Sequence, residues 1–281
     1  MCFLVLLKDY FPGISSIILI IVVSHYRVLA STIPPAYKPE DVVDHTRPDE
    51  PTALDLSDFE ALDNGFSEVS NLSEILSPEQ RLKLSSGDPT LKANKFEGDI
   101  DLDWMKPGKT KNNGIAVARN AVRRSHQTWP NKEIPYLISS RYGKYSRRIL
   151  AQAIRRYHQQ SCIRFVPRQS HHRDYIYIYP EDGCYSVVGR VGGRQTVSID
   201  EGCIQTGTVI HELLHAVGFY HEQSRSDRDE WVRVVPENIV DGAADQFQKY
   251  SLRSMTYLGV EYDYGSIMHY GPRAFSKHPY S

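Results

Sequence analysis

The stretch that most constrains this chain is HELLHAVGFYHEQ, residues 211–223, which places three histidines and one glutamate within eleven positions. On an α-helix, positions i and i+4 lie on one face, so His211 and His215 can bind one metal ion together. Glu212 then lies next to the ion without binding it, within reach of a water molecule. The stretch therefore predicts a helix that carries a metal site.

Two further residues, Gly218 and His221, extend this pattern. The H-E-x-x-H core alone arises by chance too often to carry an assignment. If the helix continued, His221 would point away from the first two histidines. Gly218 can adopt a left-handed conformation that ends the helix and turns the chain back, so that His221 approaches the same ion. Three neutral imidazoles with one open position form a catalytic zinc arrangement rather than a closed structural one.

The residue types predict peptide-bond hydrolysis with one Zn²⁺ per subunit. Zinc lowers the pKa of its bound water toward ~7 and polarises a carbonyl. Glu212 would act as the catalytic base, accepting the water's proton and passing it to the leaving amine, with no covalent enzyme intermediate. A zinc-stabilised binding module without activity is the alternative. The presence of Glu212 argues against it, because a structural site needs no base.

The N-terminal thirty residues are typical of a signal peptide. An apolar run, residues 14–23, follows Lys8, and Val28-Leu29-Ala30 offers a cleavage site. We therefore expect a secreted, extracellular protein without stable membrane association. Retention of the run as a membrane anchor is the alternative. The net charge of −1 gives no electrostatic reason to expect binding to nucleic acid.

The remaining chain divides in two. Residues 31–119 are polar and acidic with little periodicity, which favours a pro-segment or flexible arm over a second core. From residue 129 onward, strands are predicted at residues 134–138, 163–166, 174–179 and 196–199, and helices at residues 146–160, 208–217 and 236–250. This mixture predicts an α+β or α/β fold.

The longer stretch 211–229, HELLHAVGFYHEQSRSDRD, resembles the zinc-binding region of the astacin family of zinc metalloendopeptidases, in the metzincin group. Residues 266–270, SIMHY, resemble its Met-turn. The resemblance implies that Met268 lies beneath the metal, and that Tyr270 is a further zinc ligand that swings away to stabilise the oxyanion. It also implies a two-lobed α+β metzincin domain at residues 120–281, with a twisted mixed sheet and an active-site helix, preceded by a largely irregular pro-segment.

Residues 184–190, CYSVVGR, resemble the edge strand of the same family. Together with Cys203 they imply a Cys184–Cys203 disulfide. A protein or peptide substrate would bind along this edge as an extended strand, held by main-chain hydrogen bonds.

The pro-segment contains FEGD, residues 96–99, which resembles the family's F-x-G-D motif. The resemblance implies that Asp99 binds zinc in the latent form, since a tethered carboxylate reaches a high effective concentration. Activation then requires another protease to cut the chain. We expect the cut between Arg119 and Asn120, with Arg123-Arg124 as the alternative. In the family, the new N-terminal amine meets the glutamate after the third histidine, which implies Glu222.

The chain ends eleven residues after Tyr270, whereas family members continue for a few dozen residues past the Met-turn. The missing part normally carries a cysteine that pairs with the one at Cys162. We therefore expect that this sequence is a C-terminally truncated part of a longer enzyme.

Overall fold

A computed structural model of the chain describes residues 37–83, 88–102, 121–122, 125–250 and 259–278. The expected signal peptide and both candidate cleavage sites, Arg119–Asn120 and Arg123–Arg124, lie outside the described residues. Within the described ranges, no helix combines the length and the apolar character needed to cross a bilayer.

One mixed sheet forms the centre of the molecule. Its strands are β1 (Pro51–Thr52), β2 (Glu133–Ser139), β3 (Arg164–Pro167), β4 (Tyr175–Tyr179), β5 (Cys184–Ser186) and β6 (Arg194–Ile199). They follow the order β1-β2-β4-β6-β5, and β3 also pairs with β2. The pairs among β2, β3, β4 and β6 are parallel, whereas β5 is antiparallel to β6 and β1 to β2. The four predicted strands are confirmed with shifted ends.

Two long helices pack together and enclose the core with the sheet. In α3 (Lys144–Gln160), the predicted apolar face is fully buried, while arginines lie along the more exposed side. The second, α4 (Thr206–Val217), buries Val209, Leu213 and Ala216. These residues join the isoleucines of β2 and β4 in one hydrophobic cluster. The mixture of parallel strands, antiparallel edges and helices confirms the α+β prediction.

Three contacts hold the end and the start of α4. Gly218 adopts a φ of 129° and its N–H donates to the carbonyls of Leu214 and His215, so the helix ends where the sequence predicts. The indole N–H of Trp129 donates to the carbonyl of Ala216 across 2.7 Å. Before the helix, the predicted Cys184–Cys203 disulfide is present and ties β5 to the segment that leads into α4.

The predicted third helix at residues 236–250 is wrong. The chain there forms short 3-10 turns at Pro236–Asn238 and Ala244–Phe247. Gly242, between them, has a φ of 87°, a left-handed conformation that an α-helix cannot contain. Pro236 does begin a turn, as proline does at helix starts, but that turn is 3-10 and ends at Asn238. Ile239 and Tyr250 occupy separate buried positions.

Residues 37–83, which we call the docking arm, contain β1 and the short helices α1 (Leu56–Asp63) and α2 (Pro78–Lys83). Most of the arm is irregular, as expected. It is nevertheless packed closely on the rest of the molecule, which the sequence did not predict. Several of its apolar side chains belong to the main hydrophobic cluster, which is otherwise built from residues 129–217.

Candidate active site

Three histidines converge at the end of α4. His211 and His215 project from one face of the helix, and the turn after Gly218 brings His221 to them. The Nε2 atoms of His211 and His221 lie 3.2 Å apart. Together with a carboxylate oxygen of Asp99, these nitrogens lie within 4.8 Å of one another, and all four residues are buried. The sequence prediction that the three histidines meet at one point agrees with this geometry.

A carbonyl or carboxylate fixes the second nitrogen of each ring. The Nδ1 atom of His211 lies 2.7 Å from the carbonyl of Ile267, and that of His215 lies 2.7 Å from the carbonyl of Phe219. The Nδ1 atom of His221 lies 2.8 Å from a carboxylate oxygen of Glu97. With Nδ1 as the donor, each ring presents a bare Nε2 to the common point.

Asp99 reaches this point from the predicted pro-segment. One carboxylate oxygen lies 2.9 Å from Nε2 of His211 and 3.3 Å from that of His221. The other lies 3.4 Å from Nε2 of His215. Burial disfavours the charged carboxylate, but the neighbouring histidines hold the pKa of Asp99 well below its ordinary value.

The donor set fits zinc. Imidazole nitrogens and a carboxylate are ligands that zinc prefers. Within the described residues, Oδ1 of Asp99 and Nε2 of His215 are buried without a hydrogen-bond partner, as are both carboxylate oxygens of Glu212. Buried polar atoms without partners are rare, and a cation at the centre would satisfy the first two. Burial lowers the pKa of His215 to about 4, so this ring is neutral, as a metal ligand must be.

Glu212 lies on α4 directly after His211, and its side chain is completely buried. Burial, and then the negative charge of Asp99, raise the pKa of the Glu212 carboxyl well above its ordinary value. Its position directly after His211 and its burial place this carboxyl group beside the point where the three histidines meet.

Glu97 is a site residue that the sequence reasoning missed. Its buried carboxylate accepts hydrogen bonds from Ser224 Oγ at 2.7 Å and from the Tyr250 hydroxyl at 2.5 Å, in addition to its contact with His221. Its backbone has a φ of 49°, which allows the turn that brings Asp99 inward. The only sequence signal for Glu97 is its position inside the FEGD motif, and the family resemblance implies no role for it.

The segment around Asp99 also occupies the edge of the sheet. The N–H of Ser186 on β5 donates to the carbonyl of Asp99, and the N–H of Asp101 donates to the carbonyl of Ser186. Ile100 pairs in parallel with Ser186 and is fully buried. The edge at which the sequence predicts substrate binding is therefore covered by the chain itself.

The remaining predicted site residues surround the histidines. The Tyr270 hydroxyl donates to the carbonyl of Glu97, and its ring lies 4.7 Å from that of His221. It is therefore bound to the segment that carries Glu97 and Asp99 rather than grouped with the four metal-ligand candidates. Met268 is buried, and its carbonyl accepts a hydrogen bond from the N–H of Glu222.

Glu222, the predicted partner of a new N-terminus, is engaged within the fold. Its carboxylate accepts hydrogen bonds from Arg225 at 2.9 Å and from the N–H of Asp263 at 3.0 Å. The predicted amine of Asn120 lies outside the described residues, so the pairing stays a prediction.

A mixed sheet, a histidine-bearing helix and a buried three-histidine site are features of the class of zinc metallopeptidases. Comparison with known proteins gives the family. Residues 121–281, more than half of the chain, match the family model described as Astacin, a family of peptidases. The chain belongs to the astacin family.

Individual relatives agree with this assignment. Zinc metalloproteinase nas-4 of Caenorhabditis elegans is 53% identical over 190 residues, covering 67% of this chain and 59% of that relative. Zinc metalloproteinase nas-13 of the same species is 52% identical over 191 residues, covering 65% of this chain and 42% of that relative. Among solved structures, High choriolytic enzyme 1, a hatching enzyme zinc-protease from Oryzias latipes (Medaka fish), matches with a TM-score of 0.50 and 44% identity, covering 53% of this chain and 74% of that one. The chain thus spans about half the length of the two curated relatives.

Proposed function

We propose that this chain is the latent form of a secreted zinc endopeptidase that hydrolyses peptide bonds in proteins. The observation that carries the proposal is the meeting of His211, His215 and His221 around a single point, with Glu212 beside them. Membership of the astacin family supports both the metal and the reaction type.

In the active form, the three histidines would hold zinc through their Nε2 atoms. When bound, zinc supplies the Lewis acidity that polarises a substrate carbonyl and acidifies water. The Glu212 carboxylate accepts a proton from the attacking water and delivers it to the leaving amine. Its isolation from other hydrogen-bond donors, within the part of the chain that is described, keeps it available for that transfer.

Tyr270 and Met268 complete this proposal. The Tyr270 hydroxyl, now donated to the carbonyl of Glu97, would become available when that segment leaves. It would then bind zinc in the resting enzyme and donate to the substrate oxyanion during the reaction. Met268 would support the site from below as a packing residue, in keeping with its burial.

Latency is attributed to Asp99. Its carboxylate lies between the histidines, where it would bind zinc in place of the reactive water. The same segment hydrogen-bonds to Ser186 on β5, so the backbone groups that would receive an extended substrate are already paired.

In this proposal, residues 1–30 are a signal peptide, residues 31–119 a pro-segment and residues 120–281 belong to a catalytic domain. An activating protease would cut between Arg119 and Asn120. The new amine would pair with Glu222, which is buried beside Arg225. Burying an amine is tolerated only with such an acidic partner.

Glu212→Gln tests the proposed base directly. The activated, full-length variant should retain one zinc per chain by elemental analysis and lose at least about a hundredfold in kcat. Wild-type protein without zinc, or a variant with unchanged turnover, contradicts the mechanism. Glu237→Gln, a change of an exposed glutamate within the proposed catalytic domain, is the matched control.

A further inference from the structure

The docking arm, residues 37–83, packs into the main hydrophobic cluster, in addition to the contacts that Asp99 makes with the histidines. We propose that the arm stays bound after the chain is cut between it and the family-matched domain, so that the cut alone leaves Asp99 tethered beside the histidines. This inference rests on the proposed latent state, in which Asp99 blocks the site.

The arm contributes to the core itself. Six of its apolar side chains are buried within the main hydrophobic cluster: Val42, Val43, Leu54, Leu72, Ile75 and Leu76. They pack with residues of β2, α3 and α4 in one continuous cluster. Dissociation would expose both sides of this contact to water, which opposes release.

Ion pairs and hydrogen bonds fix the orientation of the docking arm on the rest of the chain. Asp58, at the start of α1, is buried and accepts two hydrogen bonds from the Arg147 guanidinium of α3, at 3.0 and 2.6 Å. Such a bidentate pair is stronger than an exposed ion pair. Asp49 accepts hydrogen bonds from Ser139 and from the Tyr177 hydroxyl, each at 2.6 Å. These residues belong to β2 and β4, and β1 of the arm pairs with β2 beside them.

The arm also contacts the active-site helix. Glu68 accepts hydrogen bonds from the N–H of Thr206 at 3.1 Å and from its hydroxyl at 2.7 Å. Thr206 is the first residue of α4, where an N–H group has no partner within the helix. A carboxylate at this end also interacts favourably with the helix dipole.

One glycine reveals how closely the arm backbone lies on the domain. A Cβ atom at Gly143 would lie 2.2 Å from the carbonyl oxygen of Glu40 and 2.4 Å from the Cα of Asp41. These are backbone atoms of the arm, so a side chain cannot be accommodated by a rotamer change. The φ of Gly143 is −76°, which alanine adopts without strain. Gly143→Ala therefore displaces the arm while remaining compatible with the domain.

Retention of the arm has a consequence for Asp99. A cut between Arg119 and Asn120 leaves the arm and Asp99 in one polypeptide. While the arm is bound, Asp99 is held at a high local concentration near the histidines and rebinds after each opening. Full release then requires the arm to dissociate or a further cut between the arm and Asp99.

The test uses the full secreted chain with a recognition site for a sequence-specific protease introduced at Arg119–Asn120. After cutting, gel filtration in physiological buffer should elute both fragments together. A metal-chelating hydroxamate inhibitor should bind the cut protein with an apparent affinity within about threefold of the uncut protein. In cut Gly143→Ala, the fragments should separate and the apparent affinity should rise at least about a hundredfold. Gly207→Ala, whose Cβ would meet only a side-chain atom at 3.9 Å, is the matched control.

Separation of the wild-type fragments in native buffer would overturn the proposal, and so would tight hydroxamate binding by a cut protein that elutes as one complex. If Gly143→Ala does not fold, Asp58→Asn supplies a second variant that weakens the arm, with the same two expected results. A different result would refute the proposed function instead. If the wild-type fragments elute together but the cut protein binds neither zinc nor hydroxamate even after the arm has been removed, the arm is retained as proposed and the zinc-peptidase proposal is wrong.

Discussion

Replacing Glu97 with glutamine should release Asp99 from the three histidines without altering the proposed catalytic residues. The carboxylate receives three donors: Ser224 and Tyr250 on one oxygen and His221 on the other. Glutamine has nearly the same shape but only one acceptor oxygen. Its amide NH₂ group must therefore face at least one of these donors, in a place from which water is excluded.

The size of the effect follows from these contacts. A hydrogen bond to a charged group contributes about 1.5–3 kcal/mol, and a buried donor left without an acceptor costs about 1–3 kcal/mol. We call the state in which Asp99 lies at the histidines closed, and the state in which it has left, with residue 97 hydrated, open. We therefore expect the stability of the closed state to fall by about 3 kcal/mol or more relative to the open state. At about 1.4 kcal/mol per factor of ten, the population of the open state rises by roughly a hundredfold or more.

A metal-chelating hydroxamate measures this change on the uncut protein. Because it binds only when Asp99 has left, its apparent affinity scales with the open fraction. Glu97→Gln should bind it at least about a hundredfold more tightly than wild type. An affinity within about threefold of wild type would refute the reasoning that the Glu97 contacts hold Asp99 at the histidines. Glu60→Gln, which changes an exposed glutamate of the docking arm, should match wild type.

Three further predictions concern the metal and the frame of the site. Dialysis against a chelator should abolish hydrolysis by the activated enzyme, and added zinc should restore it; full activity in the metal-free protein would contradict the metal site. Changing both Cys184 and Cys203 to serine should lower the free energy of unfolding by about 3 kcal/mol, because the disulfide closes a loop with a sequence separation of 19. A decrease below about 1 kcal/mol in a denaturant titration would argue against a stabilising role of the disulfide. Trp129→Phe should cost about 1–3 kcal/mol in the same assay, since the buried carbonyl of Ala216 loses its donor; equal stability would show that the carbonyl finds another partner.

Local sequence rules predicted the parts of the structure that depend on nearby residues. The i, i+4 spacing placed His211 and His215 on one face, and Gly218 ended the helix as expected because its φ of 129° suits glycine. The alternation of isoleucine and tyrosine correctly predicted β4, whose isoleucines are buried. The pairing of Cys184 with Cys203 came from the family resemblance rather than from spacing.

The parts that were missed depend on contacts between distant segments. Tyr250 meets Glu97 across 153 positions of sequence, and no local pattern indicates such a partner. The docking arm lacked periodicity because it adds single apolar residues, such as Val42 and Leu76, to a core formed by other elements. The helix predicted at residues 236–250 is wrong for a local reason: Pro236 at its start is compatible with a helix, but Gly242 adopts a left-handed conformation that interrupts one.

The hydrogen bond from Thr206 to Glu68 links the first turn of the active-site helix to a residue 138 positions upstream. During synthesis the docking arm is made first, so it can serve as a template on which the histidine-bearing helix begins. A recombinant protein that starts at residue 121 would have to nucleate this helix without that template. We expect such a protein to fold in lower yield than the longer chain, even though every proposed zinc ligand of the mature site would be present.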